Sequence, residues 1–146
     1  MLSALGFGGA IGSLTLPLLS DRIGRKPVML LSVVGALTAL MALVNIGPTV
    51  PVLFGLTMLV HGLVFSLMVL TIGPVSAEAV PARLMSTATG LVVGFDEVFG
   101  GAVAPSLAGF GAKHFGIGYA LYMPIGALCC GLVAVAFLKE TAPRLR

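Results

Sequence analysis

From Pro27 to Ala77 the chain carries no Asp, Glu, Lys or Arg, and its only titratable side chain there is His61. One helix needs about 20 apolar residues to cross a bilayer core, so this single run is long enough for two crossings. A second uncharged stretch, Met1 to Ser20, precedes it. Charged residues make up 9% of the 146 residues and the mean hydropathy is +1.15. A soluble domain needs roughly 25% charge to cover its surface, which excludes a water-soluble globule. The 20 Gly and 9 Pro lie inside Leu, Val and Ala runs, where membrane helices tolerate them, so the composition is not that of a disordered chain.

Gly, Pro and charge divide the chain into five expected spans of an all-α membrane protein: about 2–20, 27–45, 52–75, 84–112 and 118–138, with a tail over 139–146. Asp21-Arg22-Ile23-Gly24-Arg25-Lys26 reads as a tight charged loop after the first span, and Pro27 suits the first turn of the second helix. Arg22, Arg25, Lys26, Arg83, Lys139, Arg144 and Arg146 fall on one side, against Lys113 alone on the other. Short cytoplasmic loops carry the basic excess, so the expectation is a cytoplasmic C-terminus and an outer N-terminus in a cell (inner) membrane. Phe115, Tyr119 and Tyr122 cluster at the outer start of the fifth span, where aromatic rings favour the headgroup level. An odd number of spans with an outer N-terminus and no signal sequence leads to the expectation that sequence is missing before Met1.

The basic residues are spread over several short loops, which argues against a nucleic-acid partner. Cys129 and Cys130 are adjacent and point different ways on a helix, so they read as small packing residues. Gly6-Phe7-Gly8-Gly9-Ala10-Ile11-Gly12 lacks the preceding strand and the spacing of a dinucleotide fingerprint. Gly8 with Gly12, and Gly90 with Gly94, instead have the small-xxx-small spacing that lets two membrane helices approach closely.

Asp21 is an acid at the C-terminal end of a helix, where it opposes the macrodipole. Followed by Arg22, Gly24, Arg25 and Lys26, it has the make-up of charge pairs that form in one conformation and break in another. Here the chain resembles the major facilitator superfamily, whose loops between the second and third helix of each half carry G-x-L-x-D-R-x-G-R-R/K. Leu19, Asp21, Arg22, Gly24, Arg25 and Lys26 match, and Pro17 stands at the leading Gly. Pro81-Ala82-Arg83, Thr87-Ala88-Thr89-Gly90, Glu97-Val98-Phe99-Gly100-Gly101, Ala104-Pro105 and Gly109 look like the penultimate helix of such transporters, and Lys139-Glu140-Thr141-Ala142-Pro143 like the exit from the last. The resemblance implies helices eight to twelve of a twelve-helix carrier, an incomplete C-terminal half. The alternative register, helices two to six, implies an Arg between Val52 and Val75, where none occurs.

The function implied is part of a secondary transporter, a symporter, that moves a small solute by alternating access. Its expected partners are membrane lipid and the missing helices or a chain that supplies them. At about 1.5 Å per residue, Asp96, Glu97 and His61 all fall near the middle of the bilayer, where ionisable residues are functional candidates by default. They are the candidates for binding a cationic substrate group or a coupling proton. The alternative is that the acids are neutral or paired with a Lys or Arg on a missing helix for packing alone, and for His61 the favoured reading is a hydrogen-bonded core histidine. Glu97 shares a helical stripe with Gly90, Gly94, Gly101 and Ala108, the expected packing face, and Asp96 shares one with Thr89 and Val103. Gly101 and Pro105 complete the expected packing set. Two other readings stay open: an intramembrane enzyme built on the same acids and His61, and a non-transporting remnant or accessory subunit. The enzyme lacks an H-x-x-x-H, a G-x-S-x-G or any metal set, and no cofactor is expected.

Overall fold

A computed structural model of the chain describes residues 2–45, 49–116 and 118–138. The described residues form five successive helical stretches. They are α1 (Leu2–Ile23), α2 (Arg25–Asn45), α3 (Val50–Glu78), α4 (Ala82–Phe115) and α5 (Tyr119–Phe137). The first four are long and apolar enough to cross a membrane, and the fifth contributes a shorter apolar stretch over Leu121–Phe137. The expected tail 139–146 lies outside the described residues, as do 46–48 of the second connection.

The charged loop expected after α1 contracts to a single residue. α1 continues through Asp21 and Arg22 to Ile23, and α2 starts at Arg25, so Gly24 alone joins them. The Gly24 N–H bonds the Ser20 carbonyl at 3.0 Å with φ at +120°, the left-handed ending that glycine permits at a helix C-terminus. Gly116 ends α4 in the same way, with φ at +90° and its N–H on the Ala112 carbonyl at 3.1 Å. Charge at the membrane edge does not require loop backbone, because arginine and aspartate can extend from the last helical turn into water.

α1 and α3 meet backbone to backbone. A Cβ added to Gly8 would lie 2.2 Å from the Met58 carbonyl oxygen, and one on Gly12 would lie 2.1 Å from that of Gly62. Lipid supplies no hydrophobic drive for helices to associate, so a close fit of small residues has to hold the pair. α2 packs across α3 and α5 around Val28, Met29, Val33, Leu70, Val75 and Val135.

α3 and α4 are not uniform. α3 is α-helical over Val50–Leu70, widens to π turns over Thr71–Val75, and resumes over Ser76–Glu78. α4 opens with a 3-10 turn over Ala82–Leu84, runs as α-helix over Met85–Phe95, widens over Asp96–Val103 and closes as α-helix over Ala104–Phe115. A proline lacks an N–H and its ring collides with the carbonyl four residues earlier. Pro74 lies inside the first widened segment, and the carbonyl that Pro105 crowds, that of Gly101, lies inside the second. Widened turns are a known response to such interruptions in membrane helices.

α4 is the least covered helix. It is tied at one end by the Ser76 and Thr89 hydroxyls, 3.1 Å apart, and at the other by Gly111, which lies against the Tyr119 ring. Between these ends the expected small-residue packing face has no partner among the described residues. A Cβ on Gly90 or Gly94 meets nothing within 4 Å, and Gly101 and Pro105 are exposed.

The glycine seam yields the first prediction. Gly12→Ala forces two backbones apart, an overpacking cost of about 1–3 kcal/mol, and lowers the midpoint of thermal unfolding in detergent. Gly6→Ala, whose Cβ meets nothing within 4 Å, leaves it unchanged.

Candidate functional site

The side chains that converge are those at the junction of α1 and α2. Arg25 is the first residue of α2, and its side chain is 9% exposed. A buried guanidinium stays charged and must be paired, and Arg25 is paired on two sides. Its Nη1 donates to Asp21 in the last turns of α1, and to the Ser20 hydroxyl at 2.7 Å. Its Nη2 donates to Glu78 Oε1 at 2.9 Å, with Nε 3.5 Å from Oε2. Ser20 in turn donates to the Pro17 carbonyl at 2.7 Å, which leaves its oxygen free to accept from Arg25.

The local sequence explains the geometry. The single-residue turn at Gly24 sets Asp21 and Arg25 four positions apart on either side of a chain reversal, so they face each other. Glu78 arrives from the far end of α3, which runs parallel to α1 and therefore ends on the same membrane face. Asp21 is 56% exposed and Glu78 only 19%, so Glu78 is the more desolvated partner. Arg22 lies exposed on the outer side of α1. Lys26 points away from Arg25 and donates to the Ala136 carbonyl of α5 at 2.7 Å.

The membrane-depth candidates are not brought together. His61, on α3, faces α1, its ring 3.5 Å from where a Cβ on Gly9 would sit and stacked on Phe65 at a centroid distance of 5.8 Å. It lines an apolar cavity of about 520 Å³ with residues of α1, α2, α3 and α5. Asp96 and Glu97 open the widened segment of α4, both exposed. Each carboxylate lies over a glycine four positions on: Asp96 Oδ1 is 3.1 Å from a Cβ built on Gly100, and Glu97 Oε2 is 3.4 Å from one on Gly101. No hydrogen bond or ion pair joins His61 to either acid among the described residues, and these contain no grouping of His, Cys, Asp and Glu able to hold a metal.

The Major Facilitator Superfamily model matches residues 1–146. The chain belongs to the Major Facilitator Superfamily. No curated protein and no solved structure matches the chain. Members of this superfamily are membrane transporters, and the all-α architecture with its membrane-length apolar helices fits that membership. In superfamily terms, the signature residues Asp21, Gly24 and Arg25 lie at the junction of two helices, with Glu78 as a third charged partner.

Glu78 is the member of this network that sequence reasoning did not single out. The signal was its position: the third span ends on the face that carries the charged turn, and a buried arginine there needs a second acid.

The network predicts non-additive energetics. Asp21→Asn and Glu78→Gln each remove one of the two carboxylates described around the buried Arg25, and the double variant removes both. Glu78→Gln costs about 1–3 kcal/mol, Asp21→Asn costs less, and the double variant costs more than the sum. Thermal melts of the purified protein check this, and a simple sum would show that the two acids act independently.

Proposed function

We propose that this chain forms part of a secondary transporter that moves a small solute by alternating access. In this reading the Asp21–Arg25–Glu78 network latches the basic face, which is cytoplasmic, in one of the two states. The supporting observation is the burial of Arg25 between acids from two different helices. Such a tie is strong while closed and can be exchanged for hydration when the helix ends part, so it favours one conformation without making the other unreachable. Cavity walls and remaining helices come from elsewhere in the carrier that contains this chain.

The coupling site in this proposal is the acid pair Asp96 and Glu97. They sit deep in a span whose face has no cover among the described residues, on widened backbone where each carboxylate lies over a glycine, Gly100 or Gly101. Widened helical turns recur at functional sites. His61, seated in the α1–α3 seam, shapes the wall and does not exchange the coupled proton.

The test uses the carrier that contains this chain in vesicles loaded with a pH-sensitive dye. A panel of small organic cations is added outside, and internal pH is followed. At least one cation drives a pH change with the wild type. Asp96→Asn or Glu97→Gln abolishes that change at equal insertion, whereas His61→Gln retains it. Wild-type pH responses in both amide variants would move the coupling site away from α4.

A further inference from the structure

Arg25 and Lys26 are consecutive, so on a helix they point about 100° apart. Arg25 reaches α1 and α3. Lys26 reaches the opposite way, to the C-terminal end of α5, where its Nζ donates to the Ala136 carbonyl at 2.7 Å. Ala136 is the penultimate residue of α5, and the last four carbonyls of a helix have no partner within it. The neighbouring Val135 carbonyl takes the Leu138 N–H at 3.1 Å, where the chain turns extended.

The position of Lys26 makes little sense within α2 itself. A cation in the first turn faces the positive pole of its own helix. It is well placed with respect to α5, whose negative pole it meets. Directly beneath lies the apolar layer that joins α2, α3 and α5, with Val28 and Met29 on one side and Val135 on the other, and Leu138 packed at its edge. The ammonium closes the rim of that layer.

We propose that Lys26 is a positioning residue that tethers the end of α5 to α2, so that the two consecutive cations hold different helices at the basic face. The proposal rests on the transporter reading, and it adds an asymmetry to the latch. The Arg25 arm ends on carboxylates, which a proton or an amide substitution can neutralise. The Lys26 arm includes a bond to the Ala136 backbone carbonyl, which neither can remove. Neutralising the acids therefore frees α3 and leaves α5 attached, and α5 follows α2 as one body when the face opens.

The test places spin labels on the carrier that contains this chain, at the exposed positions Leu31 and Val133 to report α2 against α5, and at Leu31 and Met68 to report α2 against α3. Lys26→Met shifts the ratio of far to near α2–α5 populations about tenfold, the scale of one charge-assisted bond, and leaves the α2–α3 distances unchanged. Lys26→Arg, which keeps a donor, restores the wild-type distribution. Glu78→Gln does the reverse, changing α2–α3 and sparing α2–α5. An α2–α5 distribution that is unchanged in Lys26→Met, or displaced equally by Glu78→Gln, overturns the assignment. Should Lys26→Met not insert, Lys26→Gln, which shortens the donor, is read by the same criteria. Solute movement is followed in parallel. Distances that respond as described in a protein that moves no solute leave the tether standing and remove the transporter reading. Normal transport with unresponsive α2–α5 distances does the opposite.

Discussion

A guanidinium that is buried at the edge of a membrane must be neutralised where it stands, and most of the architecture of the basic face follows from how Arg25 achieves this. Its position as the first residue of α2 requires the preceding helix to end within reach. The one-residue turn at Gly24 provides that, because its positive φ reverses the chain without spending further residues. The second partner must come from α3, which has to stay helical past Pro74 as far as Glu78. The widened turns over Thr71–Val75 keep it so: the Ser76 hydroxyl takes up the Ile72 carbonyl at 2.6 Å and lies 3.1 Å from that of Gly73.

The same face then propagates outward. Ser76, two residues before Glu78, contacts Thr89 of α4, while Lys26, one residue after Arg25, contacts α5. Each helix end at this face is therefore one or two side chains away from the Arg25 network. Within the membrane the opposite logic holds. There α1 and α3 touch through glycine and carbonyl, contacts that are close but carry no charge and do not depend on protonation. In the proposed carrier, fixed backbone contacts inside the bilayer and exchangeable charge pairs at one edge would let the bundle rock about its interior while that edge opens and closes.

Much of this was legible from the residues, and the parts that were not share a cause. Hydropathy marked the five helical stretches because burial in lipid leaves no alternative to satisfied helical backbone. The sequence reading also put Gly8 and Gly12 at a close helix contact, which is where the backbones of α1 and α3 meet. It drew the charged turn too long, since Asp21, Arg22 and Arg25 were read as residues that hydrocarbon expels, although a helix end can carry them. Continuing a 3.6-residue stripe along α4 ignored the widening at Asp96–Val103, which changes the angular step between residues. Glu78 was passed over because its importance depends on α1 and α3 being parallel neighbours, and no local pattern states that pairing. The bond from Lys26 to α5 goes to a backbone carbonyl, which every residue possesses, so no side-chain motif could point to it.

The proposed role of the Arg25 network, as a latch on the basic face, requires it to be made in one state and broken in the other. Val75→Cys reports this, because Val75 lies three residues before Glu78, is 8% exposed in the apolar cluster joining α2, α3 and α5, and would be uncovered if the face opened. In vesicles, the rate at which an impermeant thiol reagent applied to the basic face modifies this cysteine should rise when the carrier turns over, and should stay high without turnover when Glu78→Gln is added. A rate that is the same at rest, during turnover and in the Glu78→Gln background would contradict the account.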